Sequence, residues 1–136
     1  MAQKSTKPTQ PEFDFRTIKT YEDACNHLGI ATEAPEAPAL LAEFQPAILA
    51  CYRLMIIFKA INNGWIPDWS DWSQYKYSPW LSVRPSGFGF SGAFYYYDIS
   101  SAAVGSRLCT DTSQKAMYIA QQFEKEYEAF FLYPQE

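Results

Sequence analysis

The sequence predicts an α+β domain, in which a three-stranded antiparallel β-meander has about three helices packed on it. Two observations lead to this fold class. Between residues 74 and 109, large side chains alternate with small or polar ones at the period of a β-strand, and turns containing Gly or Pro interrupt the alternation. On either side, apolar residues recur at the three- and four-residue spacing of amphipathic helices. Short connections between the strands make an antiparallel meander the simplest topology.

Length and composition indicate one folded domain. The chain has 136 residues, of which 48% are hydrophobic and 18% aromatic, enough to bury a core. Residues 1–12 are polar and contain two prolines, so we expect a flexible N-terminal arm followed by a single α+β domain over residues 13–136. The formal net charge of −4 gives no general attraction to nucleic acid or anionic membranes.

Three helices are predicted from their periodicity and their end signals. The first begins after Thr20, a capping residue with Asp23 three positions later, and ends at Gly29. The second spans roughly residues 46–62. Its apolar arc is so wide that we expect burial on more than one side. The third spans about residues 113–132.

Three strands are predicted over about residues 74–84, 88–98 and 103–109, and in each one parity of side chains is more apolar than the other. The predicted core parity consists of Tyr75, Tyr77, Leu81, Val83, Phe88, Phe90, Phe94, Tyr96, Val104 and Leu108. The opposite parity combines cations with aromatic rings. We call it the cationic–aromatic face, and its members are Lys76, Trp80, Arg84, Tyr95, Tyr97 and Arg107.

The cationic–aromatic face is where the sequence supports a binding function. Rings next to cations can stack on a partner's side chains, on sugars or on bases. The leading hypothesis is a non-enzymatic protein-interaction module that self-associates or binds a phage or host protein. The alternative is a site for a small ligand or single-stranded nucleic acid, although few cations in an acidic chain argue against nucleic acid. The same pattern also fits a face covered by a helix or by residues 1–18.

The sequence predicts no catalytic residue, no cofactor and no metal site. The single histidine, His27, and the three widely spaced cysteines do not have the spacing of a zinc site, and the cysteines fit reduced thiols. Residues 87–92 match G-x-G-x-x-G, but the sequence after them is typical of a strand, whereas a dinucleotide site needs a helix there. We therefore interpret these glycines as permitting a bulge or close packing of large rings.

Three segments together resemble a known group of proteins. They are Asn63-Gly-Trp-Ile-Pro-Asp-Trp69, Gln74-Tyr-Lys-Tyr77 and Val104-Gly-Ser-Arg-Leu-Cys109. The combined pattern resembles small uncharacterised proteins encoded by phages, prophages and mobile elements of gut anaerobes. This resemblance covers about residue 18 to the C-terminus and implies a phage-type protein in the cytoplasm of the bacterial host. It carries no known activity and no catalytic residues.

No membrane association is predicted. The most apolar run of the sequence, residues 48–61, is shorter than a bilayer span and contains Arg53 and Lys59.

Overall fold

The protein is mostly helical in the part of the chain that the structure describes. The computed structural model describes residues 12–71, 73–84, 87–97 and 107–133, with the backbone alone for 82–84, 87–88 and 90–97. These residues form four α-helices and two strands. They are α1 (Tyr21–Leu28), α2 (Gln45–Asn62), β1 (Tyr75–Arg84), β2 (Gly87–Tyr97), α3 (Ser113–Gln122) and α4 (Glu124–Phe131). The predicted N-terminal arm lies almost entirely outside the described residues.

The predicted α+β fold with a three-stranded meander is wrong. The described residues contain one antiparallel hairpin, β1–β2, among helices that hold about twice as many residues. Most of the predicted third strand lies outside the described residues, and the described residues 107–109 are not a strand. At the other edge of β1, Tyr77 and Thr110 form a single bridge, with N–O distances of 2.9 and 2.8 Å.

This bridge does not extend to residue 108, because the next ladder bond would need an N–H at position 79, which is a proline. Side chains satisfy the carbonyls of residues 108 and 109 instead. The Ser78 hydroxyl donates to the carbonyl of Leu108 at 3.0 Å, and the Asn62 amide donates to the carbonyl of Cys109 at 3.0 Å. Backbone groups that side chains satisfy in this way need no ladder partner. The Asn62 bond also ties the end of α2 to the segment that leads into α3.

The first helix begins and ends where the sequence predicts. The Thr20 hydroxyl accepts a hydrogen bond from the Asp23 amide at 3.0 Å, and the Asp23 carboxylate accepts one from the Lys19 amide at 3.0 Å. At the other end Gly29 adopts the left-handed conformation with φ of 71°. The amide of Ile30 then donates back into the last turn of α1 at 3.0 Å, which completes a Schellman motif.

The central helix α2 carries most of the core. Leu54, Ile57, Phe58 and Ile61 are fully buried, and α2 packs against both α1 and α4. Each such side chain stabilises the fold by about 1.5–3 kcal/mol. The prediction that α2 is buried on more than one side is therefore confirmed for the sides that face α1 and α4. A further face of α2 is exposed.

The hairpin register shifts next to Trp80. The pairing passes from Pro79–Ala93 to Leu81–Phe90, so that Trp80 faces two residues of the glycine-rich segment of β2. An extra residue on one strand is the definition of a β-bulge, and the glycines there tolerate the irregular backbone. Of the two interpretations of these glycines, a bulge or close packing of large rings, the register shift supports the bulge.

The predicted C-terminal helix is two helices. The backbone leaves the helical conformation at Phe123, with φ of −118° and ψ of 32°. Helix α3 packs against both strands of the hairpin, whereas α4 packs mainly against α2. Phe123 is buried between them, and no Gly or Pro lies at the break. The break therefore comes from the two different packing partners and not from a local helix-ending residue.

Candidate functional site

Lys76, which the sequence places on the cationic–aromatic face, lies in the interior of the protein with an exposed fraction of 0%. Its ammonium donates to the carbonyls of Asp71 at 3.2 Å and Gln74 at 3.1 Å, and lies 4.9 Å from the centre of a Trp69 ring. Its neighbour Tyr75, predicted to be core, is 49% exposed. At residues 75 and 76 the burial is therefore the reverse of the prediction, whereas Leu81 farther along the strand packs against the core as predicted. A lysine stem can be buried when its ammonium is hydrogen-bonded.

The β-bulge changes which residues of β2 share a face with Lys76. Tyr95 is paired directly with Tyr77, and Tyr97 with Tyr75. Residues directly opposite each other in an antiparallel pair belong to the same face of a sheet. By register, Tyr95 and Tyr97 therefore belong to the face opposite that of Lys76. Their side chains lie outside the described residues.

Three residues of the cationic–aromatic face remain. Trp80 is about half exposed, at the register shift. Arg107 is exposed and follows the part of the chain that the structure leaves undescribed. Arg84 ends β1, and its side chain is outside the described residues. In the described side chains, the structure does not bring Lys76, Trp80 and Arg107 together on one exposed surface.

The two aspartates of the α2–β1 loop hold the loop in its conformation. The Asp68 carboxylate accepts from the hydroxyl and amide of Ser70 at 2.6 and 3.0 Å, and Asp71 accepts from those of Ser73 at 2.7 and 2.9 Å. These bonds lower the pKa of both carboxyl groups, the hydroxyl bond most. Both stay ionised, which does not suit a general acid at neutral pH. The described residues contain no group of three or more potential metal ligands.

The cysteines do not have the properties of nucleophiles. All three thiols are free, with Cys25 and Cys109 buried and Cys51 half-buried. Burial raises the pKa of the Cys109 thiol to about 11 and also raises that of Cys51. The reactive form of cysteine is the thiolate, which a raised pKa disfavours. The only histidine of the sequence, His27, lies at the end of α1. Its Nε2 lies 2.9 Å from Oδ1 of Asn63, at the ends of α1 and α2.

An exposed apolar surface follows α2. We call it the α2 stripe, and it consists of Leu41, Phe44, Ile48 and Met55. These residues are 60%, 42%, 42% and 36% exposed. Leu41 immediately precedes the short 3-10 turn that leads into α2, and Phe44 is the last residue of that turn. The spacings of four and seven residues place Phe44, Ile48 and Met55 on one side of the helix. The fully buried residues of α2 lie on the other side.

An apolar cleft lies on each side of the stripe. One, of about 630 Å³, lies between the start of α2 and the end of α4, where Phe44 and Ala47 face Phe130, Phe131 and Tyr133. The other, of about 480 Å³, lies between α2 and the preceding loop. Its lining includes Pro35, Pro38, Leu40, Ile48 and Tyr52. A ridge between two recesses can interlock with a partner that offers apolar side chains.

The segment Ala42–Asn62 is, among the described residues, the one helix long and apolar enough to cross a membrane by length and composition. Of the most apolar 18-residue window in this segment, a share of 33% is buried inside the protein. The core helix of a globular domain meets the same criterion, and α2 is packed against two other helices. The high apolar content of α2 has two causes here, since one side builds the core and another forms the stripe.

The comparisons with known proteins give no relative, since no protein-family model, curated protein or solved structure matches the chain. The resemblance to phage-encoded proteins therefore stays a prediction. Sequence reasoning did not select the α2 stripe, because it interpreted the wide apolar arc of α2 as burial. The available signal was the regular spacing of Phe44, Ile48 and Met55 on a helix that carries only Arg53 and Lys59 as charged residues.

Proposed function

We propose that the protein is a non-enzymatic interaction module that binds another protein through the α2 stripe. The observation that carries this proposal is the alignment of three partly exposed apolar side chains, Phe44, Ile48 and Met55, along one side of the central helix, with the exposed Leu41 just before it. A large contiguous apolar patch on the surface of a folded domain usually marks a site of contact with a protein or a membrane. An apolar helix face is also one of the recurring ways in which proteins recognise each other.

The charges near the stripe favour a protein partner over a charged ligand. Helix α2 carries two charged residues, and one of them, Arg53, is partly buried, with its guanidinium carbon 5.8 Å from the centre of the Tyr21 ring. Depletion of charge at the centre and enrichment in Phe, Met and Tyr are typical of protein interfaces. A partner that covers Ile48 and Met55 would need to desolvate few charges, whereas the cleft beside Phe44 is also lined by Glu43, Lys125 and Glu128. A phage or host protein, or a copy of the same chain, fits this chemistry.

A photo-crosslinking experiment tests the proposed function in the cell that produces the protein. A p-benzoylphenylalanine residue replaces Ile48 in one variant and Ile66 in the control. Ile66 lies in the α2–β1 loop and is 77% exposed, so that both sites are accessible but only one is on the stripe. We expect a discrete adduct from position 48 that position 66 does not give and that a Met55→Asp substitution removes. The same adducts from both positions, or none from position 48, would contradict the proposal.

A further inference from the structure

We infer that the partner of the α2 stripe is a second copy of this chain, joined by antiparallel pairing of the two α2 helices about a two-fold axis. This inference rests on the proposed function and specifies its partner. An isologous pair needs one patch that is complementary to itself. The ridge formed by the stripe and the cleft beside it, between α2 and α4, together form such a patch.

The spacing of the stripe favours a helix as the partner. With the half-buried Cys51 included, Phe44, Ile48, Cys51 and Met55 follow one another at intervals of four, three and four residues. This is the spacing of the positions that form the seam of a two-helix coiled coil. A second copy of the chain supplies an identical seam, so that each side chain meets a position of the same kind.

The exposed area is sufficient for a dimer. Two residues at the end of α4, Phe131 and Tyr133, lie beside the stripe and are also more than half exposed. Aromatic side chains have about 150–250 Å² each to bury and aliphatic ones less, so complete burial of all six, which are about half exposed, would give at most about 600 Å² per copy, or about 1,200 Å² in a pair. This area matches the lower limit of specific, stable interfaces.

The position of Lys59 selects the antiparallel orientation. Lys59 is exposed and follows Met55 by four residues, so it lies on the same side of the helix as the stripe. In a parallel pair the two Lys59 ammonium groups would approach each other. In an antiparallel pair with its axis between Ile48 and Cys51, they lie about 28 Å apart along the helix. That arrangement places Phe44 opposite Met55 of the second copy, and it also aligns opposite ends of the two helix dipoles.

Sedimentation velocity measures the oligomeric state directly. We expect the wild-type chain and the control Ile66→Glu to be dimers. Ile48→Glu should raise the dissociation constant at least about a hundredfold, because its carboxylate would be buried without a partner. Far-UV circular dichroism checks that both variants are folded, which the exposure of both positions leads us to expect. A monomeric wild-type chain, or an Ile48→Glu variant that dimerises as the wild type does, would overturn the inference.

Disulfide trapping tests the orientation. Phe44→Cys and Met55→Cys are made separately, each with Cys51→Ala, and one of them carries a size tag. After mild oxidation, the antiparallel pair predicts a mixed disulfide when the two variants are mixed and little disulfide in either variant alone. Disulfides formed within each variant alone, without the mixed species, would indicate parallel pairing and overturn the proposed geometry. The two remaining cysteines, Cys25 and Cys109, are buried.

The failure of this inference and the failure of the proposed function give different results. An adduct from position 48 with twice the mass of the chain supports self-pairing. An adduct of another mass overturns self-pairing but leaves the interaction module standing, whereas no adduct overturns both. Flotation of the wild-type chain with phosphatidylcholine vesicles, abolished by Ile48→Glu, would assign the stripe to a membrane surface and would also overturn self-pairing.

Discussion

Two backbone carbonyls and an indole ring surround the ammonium of Lys76 in the interior of the protein. The carbonyls belong to Asp71 and Gln74, so this side chain holds the α2–β1 loop against the first residues of the hairpin. We expect Lys76→Met to lower the free energy of unfolding by about 1–3 kcal/mol, because methionine keeps most of the buried volume but leaves the carbonyls without their donor. Urea denaturation measures the difference. The matched control is Lys19→Met at an exposed lysine, and equal stabilities of the two variants would contradict this role of Lys76.

The buried thiol of Cys109 makes stability depend on alkaline pH. Burial raises its pKa from 9.0 to about 11, so that the folded protein keeps a proton that the unfolded chain releases near pH 9. Rising pH therefore stabilises the unfolded state relative to the folded state, and the free energy of unfolding falls. The expected loss from this one group between pH 8 and pH 10 is about 1 kcal/mol.

The variant Cys109→Ala isolates the contribution of this thiol. Burial also raises the pKa of the Tyr127 phenol, which acts in the same direction and remains in the variant. Denaturation curves at pH 8 and pH 10 should therefore show a smaller loss of stability in Cys109→Ala than in the wild type. An unchanged difference between the two pH values would mean that Cys109 does not titrate as its burial requires.

At the level of the element, the end of α2 depends on one residue in the left-handed conformation. Asn63 has φ of 46°, a conformation that an alanine adopts at a cost of about 1–2 kcal/mol and a glycine adopts freely. We expect Asn63→Ala to be less stable than Asn63→Gly by about this amount in thermal or urea unfolding. Both variants lose the contact with His27, so their difference reports the backbone alone. A glycine variant no more stable than the alanine variant would contradict the assignment.

Elements whose signals are local could be predicted from the sequence. The boundaries of α1 follow from Thr20 and Gly29, and the two strands follow from alternation interrupted by a turn. Three features depend on distant contacts and could not be predicted. They are the bond from Asn62 to the carbonyl of Cys109, the helix break at Phe123, and the burial of Lys76 under a loop. In each case the partner is an element that the local sequence does not specify.

The α2 stripe could not be predicted from the sequence for a related reason. An apolar residue on a helix looks the same whether another element covers it or not. In α2, Phe58 is covered while Ile48 is exposed, although both belong to the same apolar arc. The cationic–aromatic face depended on strict alternation through both strands, and the bulge in β2 changes the pairing of Tyr95 and Tyr97 with β1. A single extra residue is enough to exchange the two faces of a strand.

At the scale of the whole molecule, α2 links the core to the proposed interface. Its buried side joins α1 and α4, and the stripe lies on the same rigid helix. A partner on the stripe would therefore bind an element that is already ordered in the folded chain and would lose little conformational entropy. Because the unfolded chain has no preformed stripe, binding of a second copy stabilises only the folded state.

This coupling predicts a concentration-dependent melting temperature. If two folded copies pair, unfolding of the pair releases two chains, and the melting temperature should rise by about 3 °C for each tenfold increase in protein concentration. Ile48→Glu should melt at one temperature at all concentrations, because the substituted residue is exposed in the single chain and its removal leaves the core intact. Ile66→Glu should retain the concentration dependence of the wild type. A wild-type melting temperature that stays constant over a hundredfold range of concentration would show that the stripe does not pair with itself, whatever other partner it binds.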